Sequence, residues 1–368
     1  KLVGVEETKN VNERMLASMM VGRPVLYDQL EKTGTPGAEE IRVENLTVQD
    51  NRGLTAVDGL SLSVRAGEIL GIAAIEGNGQ SELLEAIAGM RPVEHGKIFV
   101  HGQDVTGKAP GEIRAAGLAH VPEDRLATGL SAEASVTENL LAGKQREPRF
   151  SGFAFCQRTS SIERYASELY EKFDIRGAGV DAKAGSMSGG NMQKVVIARE
   201  FSFDAPVLLI AQPTRGVDVG AIEFIHARIL EKRNEGCAIL LCSADLDEVF
   251  RLSDRVITMY EGRITGEFSA AEISRDRLLH DRRTPGGGAG MKKRIDPGYL
   301  ISLLLSVVLA FVIGAVILAI AGFSPGKAYL AMLNGAFSSA RHIGDLLEYA
   351  MVLCLCGLAC VLGARVGI

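Results

Sequence analysis

The stretch EILGIAAIEGNGQSELLEAIAGM, residues 68–90, decides the fold of this 368-residue chain. A short apolar run leads into a turn that contains Gly77 and Gly79, and apolar residues at helical spacing follow the turn. A strand, a glycine turn and a helix in this order bring backbone N–H groups and the positive end of a helix dipole to one point, where they can hold phosphate oxygens. The stretch therefore predicts a phosphate-binding unit of an α/β fold.

The same stretch departs from the P-loop motif at two positions. Ser81 stands where the hydroxyl of the motif meets magnesium, but Gln80 replaces the lysine of the motif and Ala74 replaces its first glycine. Taken alone the match is weak, because an ordinary strand-to-helix turn also carries two glycines. The rest of the chain has to separate the two interpretations.

Short β-branched runs alternate with helical stretches from residue 39 to residue 283. This alternation predicts an α/β domain with a largely parallel sheet. The turn-rich segment 31–38 and the glycine-rich segment 284–298 are predicted to be linkers on either side of the domain.

The remaining residues, 299–368, contain the long apolar runs. Residues 298–326 include no charged side chain and exceed the roughly 20 residues that a helix needs to cross a bilayer, and 349–364 is a second, shorter run. We expect two transmembrane helices, with a buried core helix as the alternative for each. The basic triplet 292–294 places residues 1–294 on the cytoplasmic side of the cytoplasmic membrane.

Charge and cysteine usage exclude other classes of protein. The formal net charge is -5 and no extended basic stripe occurs, so a nucleic-acid partner is not expected. Three of the six cysteines sit in an apolar stretch as small hydrophobic residues and the other three lack the spacing of metal ligands, so they predict neither a metal site nor a disulfide framework.

Two further motifs follow the glycine turn along the chain. In MSGGNMQKVVIAREF, residues 187–201, a small flexible turn opens a helix, and in PVLLIAQPTRGVD, residues 206–218, a buried strand ends at a polar turn. The order and spacing of the three elements resemble the Walker A, signature and Walker B regions of ABC transporter ATPases. This resemblance covers residues 39–283 and implies a P-loop NTPase-like ABC nucleotide-binding domain with a helical subdomain.

Three segments within and around these motifs resemble the second nucleotide-binding domain of tandem ATPases from sugar and nucleoside importers. They are VPEDR at 121–125, SGGNMQKVVIARE at 188–200 and QPTRGVDVGAIEFIH at 212–226. MVGRP at 20–24 resembles the end of a first such domain, so residues 1–30 are expected to be its remnant. The tail from Met291 resembles the start of a nucleoside-type permease.

The resemblance implies ATP as the ligand, with Mg²⁺ mainly at the site of a partner domain. The implied partners are the first nucleotide-binding domain of the same tandem protein, permease subunits in the membrane and an extracytoplasmic substrate-binding protein. Transferred residue by residue, it gives nucleotide-binding positions, a signature turn and a D-loop aspartate. These positions are Gly77, Asn78, Gly79, Gln80, Ser81, Glu82 and Glu123, then Ser188, Gly189, Gly190 and Asn191, and finally Asp218.

Four positions lack the side chains on which the family's ATP hydrolysis depends. They are Gln80 for the phosphate lysine, Ala211 for the magnesium aspartate, Gln212 for the catalytic glutamate and Ala244 for the switch histidine. Phosphoryl transfer needs a charged clamp and a carboxylate that aligns water, so we expect no useful hydrolysis at this domain's own Walker site. We expect instead that residues 188–190 act in trans on ATP bound by the first domain, with Asp218 supporting that interface.

Two other interpretations stay open at this stage. The chain could be a nonhydrolytic scaffold or regulator with an ABC fold, or an exporter that places its ATPase domain before its membrane helices. Among the smaller features, Arg215 is predicted either to reach a phosphate or a partner or to be a solvated turn residue. Asp247, Glu248 and Arg251 are predicted to share one solvated helix face.

Overall fold

The computed structural model describes residues 32–152, 156–269, 312, 315–316, 319, 324–327 and 329–330. The chain divides into two compact units, Lys1–Gly288 and Ala289–Ile368. The predicted remnant at 1–30, the linker at 284–298 and most of the two predicted membrane spans lie outside the described residues. Among the residues that are described, no helix combines the length and the apolar character that a membrane crossing requires.

The described part of the first unit contains ten strands in two sheets. The strands are β1 (Glu39–Gln49), β2 (Thr55–Arg65), β3 (Ile69–Ala74), β4 (His95–Val100), β5 (Gln103–Asp104), β6 (Leu118–Val121), β7 (Val207–Ala211), β8 (Ala238–Ser243), β9 (Arg255–Tyr260) and β10 (Arg263–Ser269). The larger sheet has the order β10-β9-β3-β8-β7-β6 and is parallel except for its edge strand β10. This arrangement confirms the predicted α/β fold.

A smaller, antiparallel sheet was missing from the sequence-based expectation. Its order is β2-β1-β4-β5, and each neighbouring pair runs antiparallel. Buried residues recur along β1 and β2 between more exposed ones, with register shifts at several points of their pairing. These interruptions weaken the period-two pattern from which an antiparallel strand pair is normally recognised.

Seven α-helices connect and cover the strands in the described part of the first unit. They are α1 (Gln80–Ile87), α2 (Pro110–Ala115), α3 (Val136–Leu141), α4 (Thr159–Lys172), α5 (Gly189–Phe201), α6 (Val219–Asn234) and α7 (Leu246–Leu252). Polar side chains accept hydrogen bonds from free N–H groups at the starts of α3, α5, α6 and α7, as helix caps do. The capping residues are Ser135, Ser188, Asp218 and Asp245.

The parallel sheet separates two hydrophobic cores. Along β7, Leu208 and Ile210 pack in the core that includes residues of α3, α4 and α5, whereas Val207, Leu209 and Ala211 pack in the core of α1 and the antiparallel sheet. Successive side chains of a strand point to opposite faces, so this alternation gives a three-layered domain. The strands β3, β6, β7 and β8 end at one edge of the sheet, which is where ligands bind in open α/β sheets.

Candidate functional site

The loop between β3 and α1 has the backbone that the glycine turn predicted. Gly77 and Gly79 have φ angles of 87° and 95°, in the left-handed region that favours glycine. A Cβ atom on Gly79 would lie 2.1 Å from Ala56 O, so no larger residue fits there. Asn78 anchors the loop from outside, because its Oδ1 accepts a hydrogen bond from Glu261 N at 3.0 Å.

The side chain of Gln80 folds back onto this loop. Its Oε1 accepts a hydrogen bond from Asn78 N at 3.0 Å, and its Nε2 donates to Ile75 O at 3.2 Å. Gln80 is only 5% exposed. The amide therefore occupies a backbone N–H of the kind that a phosphate oxygen takes in a P-loop. The sequence predicted the loss of a positive charge at this position. The structure adds that the side-chain amide of Gln80 bonds the backbone of its own loop.

Beside the loop, a second contact joins Ser81 of the Walker A region to Glu123, which the resemblance gives as the Q-loop position. Ser81 Oγ donates to Glu123 Oε2 at 2.9 Å, and Arg215 Nη1 donates to Glu123 Oε1 at 2.9 Å. The same guanidinium nitrogen lies 3.7 Å from Glu76 Oε1. Glu82 is half-buried in the first turn of α1. Arg215 thus has a defined carboxylate partner within the domain, although its side chain is half-exposed.

Of the three remaining degenerate positions, which lie at the ends of β7 and β8, Gln212 and Ala244 are bonded to each other. Gln212 is buried and has a φ of 46°; its N–H donates to Cys242 O at 2.7 Å and its Oε1 accepts from Ala244 N at 3.0 Å. Ala211 is buried at the end of β7 and offers no metal ligand. Burial raises the pKa of the Cys242 thiol to about 12, so this neighbouring thiol remains protonated.

These residues do not fit a magnesium triphosphate complex. The hydroxyl of Ser81 donates to the carboxylate of Glu123, which also accepts a hydrogen bond from Arg215, and the motif position of the metal aspartate is Ala211. Magnesium requires oxygen ligands in near-octahedral geometry. No hydrolytic step can be assigned to this site.

The signature turn, residues 188–191, lies at the start of α5, where Gly190 is buried and Gly189 and Asn191 are half-buried. Ser188 caps the helix and is exposed; its Oγ accepts from Asn191 Nδ2 at 2.9 Å. A Cβ on Gly189 would lie 3.0 Å from Gly216 O, and a Cβ on Gly190 would lie 2.9 Å from Asp218 Oδ2. The signature turn therefore packs directly beside the D-loop segment, residues 212–218.

One prediction about a smaller feature was wrong. Glu248 is buried, not part of a solvated helix face, and its Oε1 accepts hydrogen bonds from Thr214 Oγ1 and pairs with His226 Nε2, each at 2.8 Å. Asp247 and Arg251 are exposed as expected. The buried pair ties the D-loop segment to α6 and α7, and no local sequence signal distinguishes Glu248 from its charged neighbours.

Comparisons with known proteins agree with the fold described above. Residues 57–215 match the family model described as ABC transporter. The chain contains an ABC transporter ATP-binding domain. A nucleotide-free ATP-binding cassette from an ABC transporter superposes on the chain with a TM-score of 0.55 at 25% identity, over 66% of this chain and 98% of that one. The ADP form of the cassette MJ1267 gives the same TM-score and identity, over 67% and 98%.

Several proteins with importer names align with about three quarters of this chain. The nucleoside import ATP-binding protein NupA of Lactococcus lactis subsp. cremoris is 41% identical over 76% of this chain and 55% of its own length. The guanosine import ATP-binding protein NupO of Bacillus subtilis is 39% identical over 74% and 53%. The glucose import ATP-binding protein TsgD13 of Haloferax volcanii is 43% identical over 78% and 52%. The chain thus spans about half the length of these relatives.

Proposed function

We propose that the chain is part of the ATP-binding subunit of an importer for nucleosides or related sugars, and that its ABC domain supplies the signature turn in trans to a catalytic site on a first domain of the same tandem protein. The observation that carries this proposal is a contrast within one domain. The phosphate loop is bonded to its own Gln80, whereas the signature turn keeps its serine and both glycines at a helix start, with Ser188 exposed.

Three features support an idle Walker site in this domain. Gln80 occupies Asn78 N and carries no charge. Glu123 brings a carboxylate, not a neutral amide, toward the place of the phosphates, next to Glu76. Gln212 cannot act as a general base, a loss that costs about 10²- to 10⁴-fold in rate. Together these changes disfavour both the binding of a triphosphate and its hydrolysis.

The signature turn has the groups that a triphosphate held by a neighbour would need. It begins a 13-residue helix whose first N–H groups and dipole favour anions. Gly189 and Gly190 carry no side chain, which lets the backbone of the turn pack closely against the D-loop segment. Anion recognition through N–H groups needs no side-chain charge, so the turn is suited to contact a γ-phosphate presented by another domain.

The names and lengths of the relatives supply the rest of the proposal. The relatives named for nucleoside, guanosine and glucose import are about twice as long as the aligned region, which leaves room for a first nucleotide-binding domain. The other proposed partners are permease subunits and an extracytoplasmic substrate-binding protein, with the ABC domain on the cytoplasmic face of the membrane. The importer names give no support to the exporter alternative.

A nonhydrolytic scaffold is the second candidate function, and the self-bonded phosphate loop favours it equally. The two candidates differ in whether the signature turn contributes to catalysis. The scaffold predicts that the signature turn can be changed without loss of ATP turnover, and the proposed function predicts the opposite.

The deciding experiment places a bulky cation on the signature turn of the full-length protein assembled with its permease. Ser188→Arg is expected to lower ATP turnover and transport at least about ten-fold, because a displaced contact at a reacting phosphate has costs of this size. The control is Ser160→Arg, at an equally exposed serine near the start of α4. Unchanged turnover in Ser188→Arg would refute the action in trans and leave the scaffold.

A further inference from the structure

A short, tightly held segment connects the Q-loop position to the rest of the domain. Asp124 Oδ1 accepts hydrogen bonds from Leu126 N at 2.8 Å and Ala127 N at 2.9 Å. These two backbone donors hold the pKa of the Asp124 carboxyl below its ordinary value. The following residues, Arg125–Gly129, form one turn of π-helix, a rare conformation that is frequent at functional sites. The backbone of Arg125 is therefore fixed in direction.

The guanidinium of Arg125 reaches across to the D-loop segment. Its Nη1 donates to Arg215 O at 2.7 Å, and its Nη2 lies 3.5 Å from Gly216 O. A Cβ built on Gly189 would lie 3.0 Å from the same Nη2. One planar group thus bonds two successive D-loop carbonyls and lies beside the first residue of α5, and the absence of a side chain on Gly189 leaves room for it.

The segment that contains Arg125 makes a second contact with the D-loop segment, through Glu123. Glu123, two residues before Arg125, accepts a hydrogen bond from the side chain of Arg215, while Arg125 donates to the carbonyl of Arg215. Both the side chain and the main chain of Arg215 are thereby held by one short stretch of sequence. These two contacts hold Arg215 in the D-loop segment, in addition to the hydrogen bond from Thr214 to Glu248.

The geometry of Arg125 is not optimised for stability alone. Its Nε is buried and has no hydrogen-bond partner among the described residues. An unpaired buried donor is a cost to the fold, and such costs concentrate where a residue serves function.

We propose that Arg125 is a positioning residue for the ATP site completed in trans, because it fixes the D-loop carbonyls against the signature turn. The inference rests on the proposed function above and adds a residue that neither the motifs nor the comparisons assign. Arg125 contacts no phosphate in this role. It acts through residues 215 and 216 and through Gly189.

The test compares Arg125→Ala and Arg125→Lys in the full-length protein assembled with its permease. We expect Arg125→Ala to lower the turnover number for ATP about ten-fold or more, since small displacements of a positioning group are costly in rate. The KM for ATP and the number of ATP molecules bound should stay within about two-fold, because nucleotide is held by the other domain. Arg125→Lys should recover part of the rate by restoring one charged donor without the fork. Arg164→Ala, at an exposed arginine of α4, is the control.

Hydrogen exchange separates positioning from a general loss of structure. We expect faster exchange in Arg125→Ala at residues 215–218, with the amides of α5 and the stoichiometry of bound ATP unchanged. Wild-type turnover in Arg125→Ala would overturn the inference, and so would a rate loss that matches a loss of bound ATP. Ser188→Arg, measured in parallel, keeps the two proposals apart: if it abolishes turnover while Arg125→Ala does not, only the role of Arg125 fails.

Discussion

Gln80 shows how one side chain changes both the charge and the hydrogen bonding of a phosphate loop. The sequence alone predicts the missing charge, since Gln80 stands where the P-loop motif has a lysine. It does not predict that Oε1 and Nε2 bridge Asn78 N and Ile75 O. That bridge depends on the rotamer that the surrounding packing selects, and rotamers are not visible in a motif.

Gln80→Lys is expected to raise the affinity of this domain for ATP without creating hydrolysis. The lysine frees Asn78 N and adds a positive charge, but Ala211 and Gln212 still supply neither a metal ligand nor a base. Calorimetric titration of the protein with ATP and a phosphate-release assay measure the two effects. Gln103→Lys, at an exposed position of β5, controls for the added charge. Hydrolysis restored by this single change would refute the assigned roles of residues 211 and 212.

Among the structural elements, the parallel sheet was predictable from the sequence, whereas the contacts between loops were not. The runs that became β7 and β8 are buried at every position, as strands covered on both faces are, and this makes them recognisable. Arg125 and Glu248 were not predicted to bind across the domain. Their partners lie 90 and 34 residues along the chain, and such distant pairs leave no local pattern.

The close packing of α5 on the start of α6 gives a prediction for Gly190→Ala. The new Cβ would lie 2.9 Å from Asp218 Oδ2 and 3.1 Å from Ala221 Cβ, so the helices or the D-loop segment must shift. We expect a loss of about 1–3 kcal/mol in the free energy of unfolding, measured by urea denaturation. Gly111→Ala in α2 is the matched control, because its Cβ would meet no atom within 4 Å. Equal stability of the two variants would contradict this packing.

At the scale of the whole ABC domain, unfolding exposes a histidine that the fold keeps neutral. Burial, opposed by Glu200 and assisted by Arg114, lowers the pKa of His120 to about 4 from its ordinary 6.5. Between these two values the unfolded chain binds a proton that the folded domain does not. The contribution of His120 to stability is therefore complete above pH 6.5 and is lost as the pH falls toward 4.

We expect the free energy of unfolding of the ABC domain to fall by about 1–2 kcal/mol from pH 7 to pH 5 through this residue alone. Urea denaturation at the two pH values measures the change. In His120→Gln the slope between them should be smaller by that amount, since glutamine does not titrate. An identical slope in both proteins would show that the ring is protonated in the folded state.

The hydrogen bonds that Gln80 and Gln212 make have a consequence for any attempt to restore hydrolysis at this site. Both side chains are already bonded within the domain, Gln80 to Asn78 and Gln212 to Ala244, while Glu123 is paired with Arg215. A variant that regains one motif side chain gives up an existing bond and still lacks the other groups that hydrolysis needs. Restoring the chemistry therefore requires several concerted substitutions, because each of these positions is already committed to a contact within the domain.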